Sequence, residues 1–282
     1  MVKAIIELLK TGENANHNDR FRSDNLVLLP NEGDVIVTGD IHGHRRNFEK
    51  IVKFADLKNN PDRHVVLQEI IHGGSEDQKG GCLSFELLFD VVKYKIEFPD
   101  QLHIILSNHD TAHINNSEVM KAGKEMNLAM HVGLQGYFKK EAEKVDLAIR
   151  QFLFSQPLAV KCQNRIWISH SLPADKFVDD FDPGIFYRQL KVNDVVRPNS
   201  AYLLTWGRRH KQPALNDLAK LFDVDLFVLG HQPQETGFIK AGENLIIIAS
   251  DHNHGCFLNF DLARSYNIDE LISCIKPLAS IA

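Results

Sequence analysis

Short apolar runs alternate along the chain with segments whose apolar residues recur every three or four positions. The runs are four to seven residues long and rich in Val, Ile and Leu, which is typical of strands buried on both faces. Strands are predicted at Leu26–Leu29, Val35–Thr38, Val65–Ile71, Leu102–Leu106, Pro157–Lys161, Ile166–Ser169 and Leu226–Leu229. The two strands on either side of Gln163 and Asn164 are expected to pair.

The segments between these strands show helical spacing. Phe48, Ile51, Val52 and Ala55, for example, would share one face of a helix. Helices are predicted at residues 1–10, 47–56, 83–98 and 214–222, with two or three more between about 117 and 154. Polar residues 11–24 predict a loop, and the tail predicts three antiparallel strands at Gly237–Lys240, Leu245–Ala249 and Cys256–Asp261.

Alternating strands and helices followed by a strand-rich end predict an α/β fold. We expect two packed mixed β-sheets flanked by helices. The sequence shows no internal repeat, low-complexity segment or linker. It therefore predicts a single domain over residues 1–282, with a candidate helical cap insertion at about 113–155.

Composition narrows the class of protein. A chain of 282 residues with 44% hydrophobic residues can bury one large core. A net charge of −5 does not favour binding to nucleic acid or to an anionic membrane surface. No apolar run reaches the length of a membrane-spanning helix. Four scattered cysteines without a Cys-x-x-Cys pair predict reduced thiols in a cytoplasmic protein. The sequence leaves the oligomeric state open.

Four apolar runs end in side chains that can bind metal ions. These side chains are Asp40 with His42, Asn108 with His109, His170, and His231. Taken one at a time, they could be a helix cap, an Asx turn or buried core histidines. Together, carboxylate, imidazole and amide oxygen at strand ends predict a site for two divalent cations, where hydrolysis is the natural chemistry.

The same segments resemble the motifs of calcineurin-like metallophosphoesterases. The chain is similar to the phosphoprotein phosphatase branch, which includes serine/threonine protein phosphatases and bacterial diadenosine tetraphosphatases. Gly39–Gly43 (Gly-Asp-Ile-His-Gly) matches the first family motif, and Ser107–Asp110 (Ser-Asn-His-Asp) resembles another with Ser in place of Gly. Residues 157–173, 230–237 and 244–253 resemble the later motifs in the family's order. The resemblance implies an α-β-β-α sandwich with a dinuclear site on its rim.

The resemblance also implies roles for individual residues. Asp40 and His42 would hold one metal ion, and Asn108, His170 and His231 the other. The cofactors would be two divalent metal ions, with Mn²⁺ expected and Fe, Zn²⁺ or Co²⁺ also compatible with these ligands. A metal-bridging hydroxide would attack phosphorus directly. His109 would protonate the leaving group, with Asp110 or Asp251 as its acidic helper.

The second family motif, Gly-Asp-x-x-Asp-Arg-Gly, is altered here. Glu69 falls on the metal-bridging Asp, His72 on the second Asp and Gly73 on a phosphate-binding Arg. Glu69 is predicted to bridge both ions, although it could be a strand-end carboxylate beside a single metal. His72 could be a ligand, an orienting partner of His109 or a bystander.

Other basic residues could replace the phosphate-binding arginine that is absent at position 73. Arg208 and Arg209 are candidates for binding phosphate, because a guanidinium matches its geometry. They could equally form a solvated basic turn. His254, in the closing loop, is a further candidate for contacting substrate, together with His252.

Three functions remain compatible with these residues. The first is hydrolysis of phosphate monoesters on a small molecule or a protein, and the second is hydrolysis of dinucleoside polyphosphates. The third is a binding module on the same scaffold that has lost catalysis, which the altered second motif would favour. The retained ligands and His109 favour an enzyme that acts on a phosphorylated substrate.

Overall fold

The computed structural model describes residues 1–281 and stacks two β-sheets face to face, with helices on both outer sides. This is the α/β architecture predicted from the sequence, and that prediction is confirmed. The strands are β1 Arg22–Ser23, β2 Leu26–Leu29, β3 Asp34–Asp40, β4 Arg63–Gln68, β5 Leu102–Ile105, β6 Met120–Lys121, β7 Lys124–Glu125, β8 Ala159–Cys162, β9 Ile166–Ser169, β10 Leu226–Leu229, β11 Phe238–Lys240, β12 Leu245–Ile248, β13 Cys256–Asp261 and β14 Ile275–Pro277.

Helices occupy most of the intervening segments. They are α1 Val2–His17, α2 Arg45–Ala55, α3 Ser84–Glu97, α4 Asn108–Asn115, α5 Met126–Phe138, α6 Ala142–Phe154, α7 Ser200–Trp206, α8 Gln212–Phe222 and α9 Ile268–Ile272. Within residues 1–281, no helix is both long enough and apolar enough to cross a membrane.

The alternation of side chains along each strand explains the layered core. On β3, Val35 and Val37 face the other sheet, whereas Ile36 faces outward beneath helices, and all three are buried. Helices α1, α3, α5 and α6 cover the outer face of the five-stranded sheet, and α7 and α8 cover that of the seven-stranded sheet. Burial on both faces is why these strands are continuously apolar in sequence.

Parallel strands bring the predicted site residues to one edge. β3, β4 and β5 run parallel in the order β14-β13-β3-β4-β5, and β9, β10 and β12 run parallel in the order β1-β2-β8-β9-β10-β12-β11. Asp40 at the end of β3 pairs with Gln68 on β4 and forms a bridge to Ala249, which joins the two sheets. The loops that follow these strands therefore converge on one rim.

Two local predictions are wrong. Residues 11–17 continue α1 instead of forming a loop, because this half of the helix packs against neighbouring helices and Asn16 donates a buried 2.8 Å hydrogen bond to Ser155 Oγ. Of the three tail strands, β11 and β12 pair antiparallel as predicted, but β13 does not join them. β12 lies parallel to β10, whereas β13 crosses to the other sheet and runs antiparallel to β3.

The candidate cap segment, residues 113–155, contains two long helices and a hairpin. α6 packs against α1 and α4, and Met130, Val145 and Phe152 are buried in the same core cluster as the outer face of the five-stranded sheet. The helices of this segment thus belong to the outer helical layer. The hairpin β6–β7 extends toward the rim, where Lys121 on β6 pairs with Asp251.

Candidate metal centre

Two ligand groups meet at the rim, and the first is built on the loop after β3. His42 has its Nδ1 3.2 Å from the carbonyl oxygen of Ile71. Nδ1 therefore donates its proton to that carbonyl, and the Nε2 lone pair faces two carboxylates. Nε2 lies 3.7 Å from Asp40 Oδ2 and 3.6 Å from Glu69 Oε2. Three acceptor groups thus point at one another, which is the arrangement that a cation stabilises.

The second group lies at the ends of β5, β9 and β10. Asn108 Oδ1 is 2.8 Å from His170 Nε2 and 2.8 Å from His231 Nδ1. The second nitrogen of His170, Nδ1, is 2.7 Å from Gln68 Oε1. Gln68 in turn donates from Nε2 to the carbonyl of Thr38 at 2.7 Å, which fixes its amide orientation.

These bonds assign the tautomer of His170. Gln68 presents an oxygen to Nδ1, so Nδ1 carries the proton and Nε2 carries the lone pair. Nε2 and Asn108 Oδ1 are then two acceptors 2.8 Å apart. Such a contact is repulsive unless a cation lies between them, and imidazole with amide oxygen suits a borderline divalent metal. The donor set therefore fits the metal ions that the sequence predicts.

Glu69 belongs to both groups. Its potential ligand atom clusters with those of His42 and His109 on one side and with those of His170 and His231 on the other, all within 4.8 Å of one another in each cluster. Oε2 is 3.3 Å from His170 Nε2, and Oε1 accepts a 2.9 Å hydrogen bond from the backbone N–H of His109. This shared position is the geometry that a bridging carboxylate requires.

Burial sets the charge state of the unliganded site. It raises the pKa of Asp40 to about 6 and, together with the charge of Asp40, raises the pKa of Glu69 well above its usual range. It lowers the pKa of His42, His170 and His231 well below the ordinary value. Neutral imidazoles are ready to bind metal, and a bound cation would favour the ionised carboxylates that burial disfavours.

The backbone is strained at these positions. His42, Glu69, His72 and His231 have φ values of 45°, 49°, 67° and 66°. Left-handed conformations of residues other than glycine cost about 1–3 kcal/mol each and tend to cluster at functional sites. The strain turns each side chain from its strand end into the rim.

His109 stands beside the first group, and its ring centroid is 5.0 Å from that of His42. Its Nδ1 is 2.9 Å from His72 Nδ1, so one nitrogen donates to the other. His72 is therefore a hydrogen-bond partner of His109, one of the roles that its sequence position left open. Burial lowers the pKa of both imidazoles, so the pair shares a neutral hydrogen bond where the family has a carboxylate.

Asp110 is placed in a helix cap. Its Oδ2 accepts a 3.1 Å bond from the backbone N–H of Ser107, while Ser107 Oγ accepts a 3.2 Å bond from the N–H of Asp110. This capping box fixes the start of α4, which carries Asn108 and His109. The position beside His109 Nδ1, where Asp110 or Asp251 was expected to help, is taken by His72.

The predicted substrate-binding residues divide into two groups. Arg208 is exposed. Burial and the neighbouring histidines are the main reasons that the pKa of His170 is lowered, and the charge of Arg208 lowers it further. Arg208 is therefore within electrostatic reach of the site. Arg209 is also exposed, and its carbonyl accepts a hydrogen bond from the N–H of Asp175. His254 is exposed beside His252, with ring centroids 6.3 Å apart. For all three residues, a substrate contact stays a prediction.

Two residues at the site had no clear signal in the sequence. Gln68 occupies the position of a family glycine, and only the fold shows that it orients His170. Lys121 lies on β6 in a segment expected to be helical, and its Nζ is 3.0 Å from Asp251 Oδ2. A two-residue strand is too short for its alternation pattern to be recognised.

Comparison with known proteins agrees with the motifs. The family model for calcineurin-like phosphoesterases matches residues 33–235. A serine/threonine-protein phosphatase from Caenorhabditis elegans is 23% identical over 237 residues, which are 78% of this chain and 47% of that protein. The chain thus spans about half the length of this relative.

Solved structures confirm the fold. A protein serine/threonine phosphatase from Saccharomyces cerevisiae has a TM-score of 0.71 and 14% identity over 99% of this chain and 93% of its own. A cold-active protein-tyrosine phosphatase from a Shewanella species has a TM-score of 0.58 and 15% identity over 86% of this chain and 79% of its own. The family match and the phosphatase relative support a metal-dependent phosphoesterase of the phosphoprotein phosphatase branch. The chain belongs to the calcineurin-like phosphoesterase family.

Proposed function

We propose that the protein hydrolyses phosphate monoesters, with phosphoproteins as one substrate class, at a centre of two divalent metal ions. The observation that carries this proposal is the position of Glu69 between two groups of metal ligands, with His109 alongside. The similarity to a serine/threonine-protein phosphatase supports a phosphoprotein substrate. Buried, free Cys82, Cys162 and Cys256 are consistent with the cytoplasmic location expected from the sequence.

The candidate ligands divide between the two ions. Asp40 and His42 would hold one ion, Asn108, His170 and His231 would hold the other, and Glu69 would contribute to both. When bound, such ions supply an activated water and stabilise negative charge on the phosphoryl oxygens. Mn²⁺ is the metal that we propose, and the same ligands would accept Fe, Zn²⁺ or Co²⁺.

His109 acts as the proton donor to the leaving-group oxygen. Its Nδ1 is engaged by His72, which leaves Nε2 to hold the transferred proton. For this step His109 is an imidazolium whose Nδ1–H donates to His72 Nδ1, so loss of the Nε2 proton leaves a neutral imidazole that keeps its Nδ1 proton. Asp110 contributes through the capping box, because it fixes the helix start on which His109 and Asn108 stand.

Arg208 contributes positive charge on the side of His170 and His231, where it would attract the phosphate group. Arg209 and His254 stand further out in this proposal and would contact the part of the substrate beyond the phosphate. Their exposure allows such contacts with either a protein or a small molecule.

The direct test is hydrolysis of p-nitrophenyl phosphate by metal-stripped protein, with and without Mn²⁺. We expect metal-dependent turnover that falls about 10²- to 10⁴-fold in His109→Ala, because general-acid catalysis contributes by that order. His131→Ala, at an exposed position on α5, is the matched histidine control. Equal turnover in the two variants would contradict the role of His109.

Substrate comparison separates the alternatives. A phosphoserine peptide and diadenosine tetraphosphate should be assayed under the same conditions, and we expect the peptide to be preferred. Preference for the dinucleotide would replace the monoesterase with a dinucleoside polyphosphate hydrolase. Absence of metal-dependent turnover on every substrate would favour a binding module on this scaffold.

A further inference from the structure

The position that carries a phosphate-binding arginine in the family is closed in this chain. A Cβ atom added to Gly73 would lie 2.4 Å from the carbonyl oxygen of His42, far inside van der Waals contact. A Cβ atom added to Gly74 would likewise lie 2.3 Å from the carbonyl oxygen of Gly43, so the two loops pack backbone against backbone. A side chain at position 73 would push the loop that carries His42 away. A positively charged side chain that binds the phosphate must therefore come from another segment of the chain.

The hairpin β6–β7 brings a lysine to the same rim. Lys121 Nζ forms a 3.0 Å ion pair with Asp251 Oδ2, and both side chains are partly exposed. Asp251 follows Ser250, whose Oγ accepts a 2.9 Å bond from the N–H of Gly39, directly before Asp40. Asn47 clamps the loop from the other side through bonds of 2.7 Å and 3.0 Å to the carbonyls of Ser250 and His252.

The charge of Lys121 reaches the first ligand group. Burial is the main reason that the pKa of His42 is lowered, and Lys121 is the next. The same charge helps to lower the pKa of His109, after burial and His42. The charge of Arg208 also helps to lower the pKa of His231, after burial.

We propose that Lys121 binds a phosphoryl oxygen of the substrate and that Asp251 holds its ammonium group at the rim until substrate arrives. An ammonium on a flexible stem can turn from the carboxylate of Asp251 to a phosphate within hydrogen-bond reach. The proposal rests on the proposed function, since it assigns a substrate contact at that same site. The hairpin β6–β7, and not the second motif, would then complete the phosphate pocket.

The test is binding of inorganic phosphate to the Mn²⁺-loaded full-length protein by isothermal titration calorimetry, alongside KM and kcat for p-nitrophenyl phosphate. Lys121→Met removes the charge and keeps the length of the side chain. We expect phosphate binding to weaken about 10- to 100-fold, as for loss of one charged hydrogen bond, and KM to rise more than kcat falls. Mn²⁺ binding, measured separately, should equal that of the wild type.

Lys124→Met is the matched control on the same hairpin. Lys124 pairs with Glu76 at 2.7 Å and so faces another part of the molecule. Asp251→Asn should tighten phosphate binding by about two- to fivefold, because it releases Lys121 from a partly exposed ion pair. Phosphate affinity and KM in Lys121→Met within twofold of those in Lys124→Met would overturn the proposal.

The calorimetric measurement keeps the two proposals apart. If the wild type binds phosphate but hydrolyses no substrate, and Lys121→Met loses that binding, the phosphate contact stands while the enzymatic function fails. If the wild type is active and Lys121→Met binds phosphate normally, the function stands and the contact fails.

Discussion

Strands β4 and β5 carry buried histidine clusters at both of their ends, and the two clusters differ in how their polar atoms are satisfied. At the end opposite the rim, His64 Nδ1 is 3.1 Å from His103 Nε2, and His103 Nδ1 is 2.8 Å from Asp19 Oδ2. Lys95 Nζ pairs with the same carboxylate oxygen at 3.1 Å and donates to two backbone carbonyls. We call these four residues the closed cluster.

The closed cluster balances its own charges, and the metal centre does not. Burial alone would raise the pKa of Asp19, but the hydrogen bond and charge of His103, with Lys95, hold it well below its usual range. At the rim, in contrast, burial and neighbouring acceptors raise the pKa of Asp40 and Glu69. A buried carboxylate with its own cation stabilises the fold, whereas carboxylates facing imidazole lone pairs indicate a site for an added ion.

The largest effect should come from substitutions in the candidate metal centre. Asn108→Ala and His231→Ala each remove a proposed ligand of the second ion, so we expect turnover to be abolished and bound metal to fall. Metal content by mass spectrometry and p-nitrophenyl phosphate hydrolysis measure both effects. Wild-type turnover in these two variants would exclude the dinuclear account.

Breaking the closed cluster should instead affect stability. Asp19→Ala leaves Lys95 and His103 buried without their carboxylate, which we expect to lower the free energy of unfolding by about 3–5 kcal/mol. Urea denaturation of the metal-free protein measures this. The control is Asp217→Ala, whose exposed pair with Lys220 at 3.7 Å should contribute less than about 1 kcal/mol. Similar losses in both variants would refute the distinction.

A smaller effect concerns pH. Burial, reinforced by His103, lowers the pKa of His64 to about 3. Between pH 6.5 and about 3 the unfolded chain therefore binds a proton that the folded chain excludes, so this contribution to stability is lost as pH falls through that window. Between pH 6.5 and 5.5 the loss is about 1 kcal/mol.

The variant His64→Phe removes this titration. Its unfolding free energy should fall less than that of the wild type between pH 6.5 and 5.5, as measured by urea denaturation at both values. His131→Phe, at an exposed position, is the control. A pH dependence in His64→Phe equal to that of the wild type would show that His64 is not the group involved.

The sequence predicted that most residues of the candidate metal centre would meet at one edge, because each follows an apolar run and parallel strands align such ends. Asp40, Asn108, His170 and His231 are all of this kind. The partner of His109 could not be predicted in this way, because it depends on the left-handed turn that His72 makes after β4. Glu69 lies on the same turn, and its sequence position alone left one metal or two open.

Long-range pairing limited the prediction of the fold. The pattern of β12 and β13 is compatible with a hairpin, and only the strand pairing in the structure shows that β12 joins β10 while β13 joins β3 in the other sheet. The second half of α1 is polar in sequence and shows no apolar face. It is helical because α1 packs against other helices and because Asn16 forms a hydrogen bond with Ser155.

The central claim is that Glu69 joins two metal ions, and Mn²⁺ binding tests it most directly. Titration of metal-stripped wild-type protein, followed by electron paramagnetic resonance, should show two Mn²⁺ ions per chain with magnetic coupling between them. Glu69→Ala should lose that coupling. One ion per chain in the wild type, or two uncoupled ions, would contradict the account.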